Sequence, residues 1–393
     1  MKTPKQAQAA PSSRLSDSFF HKAKRRGRNC TIFIAAKKAL PLLLAAIMLL
    51  SLPSCSTEWD TGVPLQEKNK YTAHSLDYFD TATTITGYET DKEKFDKTSA
   101  EIISLLGEYH RLYTIYHRFD GMENLCTVNE LTSEGVHRTV KVDERIIDLL
   151  LYAKEMYTLT NGKLNIAMGS VLSVWHDYRT AGTDEPWAAS LPTDAELSEA
   201  ALHTSIDDLI IDREASTVFI RDPKMKLDVG AIAKGYAVER IATELEARGI
   251  SGYVLNVGGN VRTIGTKPDG TPWTAGIENP DRGSETSFVE YLSLAGESVV
   301  TSGSYQRYYI VDGKSYHHII DPETLYPSER FVSVSIVCKD SGLADALSTS
   351  LFCMSAEDGK ALIESIEDAE ALWITHSGDK IFSDGFSRFV QQQ

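Results

Sequence analysis

The chain has 393 residues, with 40 Lys/Arg against 55 Asp/Glu and a formal net charge of −15. That length holds one large domain or two ordinary ones with ample core, and the ordinary composition excludes long disorder. So acidic a chain is a poor ligand for nucleic acid.

Residues 22–38 are basic, and residues 39–52 (ALPLLLAAIMLLSL) form an apolar run of 14. The run is short for a membrane span and fits a signal-peptide core. It leads into LPSC, which matches a lipoprotein signal with Cys55 as the lipidation site; a short anchor helix with an incidental cysteine is the plainer reading. Residues 1–54 are therefore read as a lipoprotein signal peptide and 55–75 as a tether. Residues 76–390 form one catalytic domain in this reading. The first 54 residues carry ten Lys/Arg and one Asp, leaving 30 basic against 54 acidic residues, a net charge of −24. Anionic lipid repels such a chain, so membrane attachment would rest on the acyl chains at Cys55. The expected location is the extracytoplasmic face of the cell membrane.

After the tether, alternation in YFDTATTITGYE (78–89) predicts a strand, and helical spacing covers 91–117. Asp143 caps a helix that stops at Asn161-Gly162, and Thr193 with Glu196 forms a capping box. Short strands follow near 207–212 and 216–221. LDV (227–229) then enters a Gly/Ala-rich helix that runs to about 248. Residues 253–265 (YVLNVGGNVRTIG) read as a strand interrupted by paired glycines. YYIVDGKSYHHIIDP (308–322) carries an Asp-Gly hairpin signal. Residues 331–339 form another strand, LADALSTSLFCMS a helix, and ALWITHSGDKIFSD a closing hairpin. Strands mostly adjoin strands, with helices in blocks, so the fold class is α+β with a largely antiparallel sheet. Cys126, Cys338 and Cys353 cannot all pair and lack zinc spacing, so they read as buried small hydrophobes.

Four constellations carry chemistry. In LDVGAIAKGYAVERI (227–241), Gly230 and Ala231 at a helix start offer open N–H groups to an anion, and Lys234 lies one turn in. A tightly packed corner with an exposed lysine reads equally well. Asp345 and Thr349 are i and i+4 on one helix, a hard-oxygen pair suited to Mg²⁺; a dipole-favoured Asp and a backbone-bonded Thr are the plainer account. In YHHIIDP (316–322) the tandem histidines point to opposite faces, so at most one enters a given site, as a proton acceptor or as a structural group. Asn256 and the paired glycines of VLNVGGN (254–260) allow close approach of a ring or ribose, or simply a bulge. His110, His117 and His176 lack partners at metal spacing and read as structural. Together these pieces describe a site for a nucleotide diphosphate.

LDVGAIAKGYAVERI, VLNVGGNV (254–261), TSGSYQRYY (301–309), YHHIIDPETLYP (316–327) and ADALSTSLF (344–352), in that order, resemble the motifs of the ApbE family of FAD:protein FMN transferases. FDTATTITGYE (79–89) and TNGKLNIAMGSVLSVW (160–175) resemble further family segments. The resemblance spans residues 76–390. It implies an exported α+β lipoprotein that binds FAD as substrate, uses Mg²⁺, and releases AMP. The FMN would go to a Ser/Thr of an exported acceptor with an FMN-binding domain, of the redox-driven pump or respiratory-subunit type. Carried over by position, metal ligation falls on Asp345, Thr349 and the main-chain carbonyl of Ala231. FAD contacts fall on Asp228 and Lys234, and also on Phe79, Lys163, Leu164, Asn165 and the 254–260 strand with Asn256, Gly258 and Gly259. The general base matches His318.

Two departures stand out. Many relatives read GAFD where this chain has GKLN (162–165), and DPxTGxP where this chain has Leu325; both positions lie near the flavin site in the family. The same site would also serve a Mg²⁺-dependent FAD pyrophosphatase. A non-enzymatic flavin-binding lipoprotein is opposed by the Asp345/Thr349 pair.

Overall fold

The computed structural model describes residues 67–134 and 138–392. Cys55, the signal segment and most of the tether lie outside the described residues. The end of the tether does not: Asn69–Ser75 is strand β1, paired antiparallel with β2 (Thr83–Glu89) from Asn69↔Glu89 to Ser75↔Thr83. The folded domain therefore begins earlier than its composition implied.

Strand β2 starts later than alternation predicts, because Phe79 and Asp80 adopt φ of 57° and 50° and make a turn instead. Helix α1 (Lys92–Tyr113) follows, with Asp91 accepting the Lys94 N–H at 2.8 Å as its cap. The next elements are α2 (Leu125–Ser133), β3 (Val140–Lys141) and α3 (Glu144–Leu159). Asp143 caps α3 as expected, and Asn161 and Gly162 (φ 50° and 81°) end it. After α4 (Gly169–Asp184) comes α5 (Asp194–Ala201), whose Thr193/Glu196 capping box forms in full. Strands β4 (Leu209–Asp212) and β5 (Thr217–Ile220) then make a small sheet with β3, in the order β3-β5-β4.

Helix α6 (Ala233–Ala247) leads into β6 (Tyr253–Val257) and β7 (Asn260–Ile264). Where the sequence predicts one interrupted strand over 253–265, the structure has two. They are a hairpin in register Val257↔Asn260, turned by Gly258 and Gly259 at φ 58° and 89°. Two left-handed residues in a row suit glycine, and the two-residue loop matches the twist of the strands. The chain continues through β8 (Trp273–Glu278), β9 (Phe288–Leu294), β10 (Ser298–Gly303), β11 (Tyr308–Val311) and β12 (Lys314–His317). It closes with β13 (Ser333–Cys338), α7 (Ser341–Phe352), α8 (Ala356–Glu364), β14 (Glu370–Ile374) and β15 (Lys380–Phe382).

The main sheet is antiparallel throughout, in the order β1-β2-β6-β7-β10-β13-β14-β15. Helices α6 and α7 cross against one another and pack on β7 and on β10 and β13 respectively. Their crossing is close because residue 235 is glycine: a Cβ there would stand 2.2 Å from the Ser341 carbonyl oxygen and 2.5 Å from the Asp345 Cβ. Beneath the crossing, Arg262 on β7 is fully buried and binds Glu239 of α6 at 3.0 Å. The same Glu239 carboxylate accepts the Ser341 N–H at 2.9 Å, at the start of α7. One ion pair thus fixes both helices to the sheet. Cys126, Cys338 and Cys353 are buried free thiols. Among the described residues no helix is long and apolar enough to cross a membrane.

Candidate active site

A cleft of about 430 Å³ opens where α6, α7, β10 and the loops around Phe79, Lys163 and His318 meet. Its walls include eleven of the residues singled out from sequence: Phe79, Lys163, Leu164, Asn165, Asp228, Ala231, Lys234, Gly258, His318, Asp345 and Thr349. They come from segments as much as 270 residues apart, and the fold brings them together. Asn256 and Gly259 are not on this wall. Asn256 Oδ1 instead accepts the Gly259 N–H at 3.0 Å and holds the hairpin turn.

The opening of α6 differs from the expected anion-binding turn. The helix begins only at Ala233, and the Gly230 N–H is already taken by Asp228 Oδ1 at 2.8 Å. Asp228 is thus a turn-closing group, held above the usual carboxylate range by burial, against the pull of the Gly230 N–H, His176, Arg179 and Lys234. Lys234 Nζ donates to the Gly230 carbonyl at 3.2 Å and stands 3.7 Å from Asp345 Oδ2.

Asp345 is buried, and its Oδ2 accepts the Gly235 N–H at 2.9 Å. Burial raises its pKa, while Lys234 and the Gly235 N–H oppose the rise. One turn along α7, Thr349 Oγ1 lies 3.1 Å from Ser302 Oγ of β10, which also meets Ser348 Oγ at 2.8 Å. Among the described residues no group of three His, Cys, Asp or Glu side chains could hold a metal ion. The chemistry here is different: a buried carboxylate only partly neutralised by one lysine, with a hydroxyl on the same helix face and the Ala231 segment on the same wall. That donor set fits a hard cation such as Mg²⁺, which keeps several ligand positions for water and phosphate.

His317 and His318 separate as the alternation requires. His317 is buried, and its Nε2 meets the Ser328 carbonyl at 2.9 Å. His318 lines the cleft with Nδ1 3.2 Å from the Arg307 carbonyl, which fixes the ring. Burial, with Arg307, His317 and Arg179 nearby, pushes its pKa down to about 3. The imidazole is therefore neutral at physiological pH, as a proton acceptor must be.

Three further walls were not found from sequence. Arg179 on α4 pairs with His176 at 3.0 Å, and burial lowers its pKa. Tyr116 packs on His176 with ring centroids 5.6 Å apart. His110 Nδ1 accepts the Phe79 N–H at 3.2 Å and so supports the left-handed Phe79 turn. His110 and His176, which lack partners at metal spacing, both line the cleft; His117 does not. Arg307 sits within TSGSYQRYY, and that motif was the available signal. Lys163 is held between Asp321 and Glu323, each at 3.0 Å. The Asn165 side chain bonds Thr204 and Ala167. Leu325 adopts φ 64°, a conformation that favours glycine, and does not line the cleft.

The model of the ApbE family matches residues 79–373, three quarters of the chain. The chain belongs to the ApbE family. Among its ApbE relatives is the FAD:protein FMN transferase of Klebsiella pneumoniae (strain 342), 32% identical over 286 residues, covering 70% of this chain and 84% of the relative. The FAD:protein FMN transferase of Vibrio cholerae is 32% identical over 266 residues, covering 67% and 75%. Solved structures agree on the fold. The ApbE protein of Thermotoga maritima has a TM-score of 0.70 at 27% identity, covering 82% of this chain and all of its own. The flavin transferase ApbE of Vibrio cholerae has a TM-score of 0.68 at 28% identity, covering 82% of this chain and 99% of its own. The α+β ApbE fold expected from sequence is the fold observed.

Proposed function

We propose that this chain is an exported, lipid-anchored FAD:protein FMN transferase. It moves FMN from FAD to a Ser/Thr hydroxyl of an exported acceptor with an FMN-binding domain and releases AMP. The observation that carries this reading is the meeting of Lys234, Asp345, Thr349 and His318 in one cleft, in a family whose named relatives carry that activity. The Cys55 anchor and the extracytoplasmic location rest on the LPSC signal alone.

Asp345 and Thr349, with the Ala231 carbonyl, would hold Mg²⁺, which when bound supplies positive charge beside the phosphates. The chain's own groups do the rest. Lys234, anchored on the Gly230 carbonyl, offers an ammonium to the phosphate oxygens. Arg179 and Arg307 add cationic character near His318. The acceptor hydroxyl oxygen forms the new bond to the FMN phosphorus as the bridging P–O bond to AMP breaks. The hydroxyl proton passes to neutral His318. Phosphoryl transfer through a loose transition state depends mainly on positioning and electrostatics.

The test is to incubate residues 56–393 with FAD, Mg²⁺ and a purified FMN-binding-domain acceptor, then denature. Flavin fluorescence that stays with the acceptor supports transfer. Free FMN alone would make the chain a pyrophosphatase, and intact FAD would make it a binding protein.

A further inference from the structure

Strands β11 and β12 form a two-stranded sheet of their own, turned at Asp312-Gly313 with φ of 50° and 80°. In such a hairpin the residues flanking the turn are a hydrogen-bonded pair, and every second pair after them is bonded too. Val311↔Lys314 and Tyr309↔Tyr316 are therefore bonded pairs, and the next rung is the His318 N–H on the Arg307 carbonyl at 3.2 Å. The N–H and C=O groups of Tyr308 and Ile310 point the other way, off the free edge of β11. Among the described residues no further strand and no hydrogen bond reaches them. The side chains alternate as well: Tyr309 and Val311 are buried, whereas Tyr308 and Ile310 are 45% and 53% exposed. An open, apolar edge of this kind is a template for another strand, and natural proteins cover or blunt theirs.

This edge is continuous with the cleft. Gln306 and Arg307, the two residues before β11, line it, and Arg307 Nη2 donates to the Asp80 carbonyl at 3.3 Å, beside the Phe79 turn. We propose that the free edge of β11 docks the acceptor protein by strand addition. The inference rests on the proposed transfer to a protein hydroxyl, since a protein substrate has to bring its backbone to the cleft mouth. An extended acceptor segment takes up the main-chain groups of Tyr308 and Ile310 and sets apolar side chains, at alternate positions, against theirs. Its continuation past Arg307 carries the hydroxyl into the cleft. Neighbouring strands lie about 4.8 Å apart, so the added segment runs roughly 10 Å from the line of His318. About three extended residues span that gap.

The test is hydrogen–deuterium exchange of the full chain in detergent, with and without an FMN-binding domain whose flavinylated residue is changed to alanine, so that it docks without turnover. Docking should slow exchange across residues 304–313 by about 10-fold or more. Kinetics with the unaltered domain give a second readout. Ile310→Pro removes one outward N–H and spares the β11–β12 ladder, as proline at a free edge does. It should raise the KM for the acceptor by about 10-fold, with kcat and the KM for FAD unchanged. Ile310→Thr keeps that N–H and should raise the same KM only about 2- to 5-fold. Unchanged exchange across 304–313 overturns the inference whatever the kinetics, and the transferase reading stands. If the segment is already protected in a chain that sediments as a dimer, a second copy covers the edge and the inference is wrong. If wild type leaves no flavin on the unaltered domain, the transferase reading itself fails and the inference falls with it.

Discussion

Lys234 of α6 and Asp345 of α7 stand 3.7 Å apart at the floor of the cleft, and the backbone N–H of the residue between them in space, Gly235, holds the carboxylate at 2.9 Å. One helix thus supplies both the cation and the N–H that orient the other helix's acid. The pair exists only because the helices cross closely, and the first prediction concerns that crossing.

Gly235→Ala introduces a Cβ 2.2 Å from a backbone oxygen, which no side-chain rotation relieves. The helices must separate, at a cost of about 1–3 kcal/mol or more. Chemical denaturation should show that loss, and activity should fall further than the stability loss accounts for. A variant of wild-type stability and activity would show that the close crossing is not required.

Asp345 and His318 should not count equally. A loose phosphoryl transition state asks little of a base, so His318→Ala should lower kcat/KM by at most about 10²-fold, the low end for general bases. Asp345→Ala should lower it by more. Side-by-side kinetics of the two alanine variants with saturating Mg²⁺ settle the order, and the reverse order would contradict the electrostatic account.

The depressed pKa of His318 has a consequence for acid stability. Its folded value of about 3 lies below the ordinary 6.5, so between those values the unfolded chain binds the proton and the folded chain does not. Stability is therefore lost as pH falls through 6.5 toward 3. Denaturant midpoints at pH 7.5 and pH 5 should fall less for His318→Gln than for wild type. In the same range the pH–rate profile should show no limb near 6.5 that His318→Gln removes.

Arg262 has no exposure, and removing it strands the buried Glu239, with the Ser341 N–H still attached, and takes the partner from Glu246. Arg262→Ala should cost about 3–5 kcal/mol. The double variant with Glu239→Gln should recover part of that, because it removes the stranded charge. Equilibrium unfolding of the three variants measures both effects.

The legible parts of this chain were those set by local chemistry or by ordered motifs. Asp143, Thr193 and Glu196 declared helix starts because capping is local, and Asp312-Gly313 declared its hairpin by turn chemistry. Gly258-Gly259 showed that the chain turns but not how far, since a bulge and a two-residue hairpin use the same residues. Strand β1 was hidden because NKYTAHS is polar and pairs at a sheet edge, where burial imposes no pattern. At the site, Asp345, Thr349, Lys234 and His318 were found through spacing and motif order. Arg179 and Tyr116 were not, because only the folded chain shows which distant strand or helix faces them. The Gly230 N–H was misjudged because Asp228 reaches it only once the turn closes.

The most direct test of the central claim is stoichiometry. With wild-type chain, FAD, Mg²⁺ and the acceptor, AMP released and flavin covalently retained by the denatured acceptor should rise together, one for one, with the added mass on a single serine or threonine. AMP release that proceeds without covalent flavin on the acceptor would contradict the account.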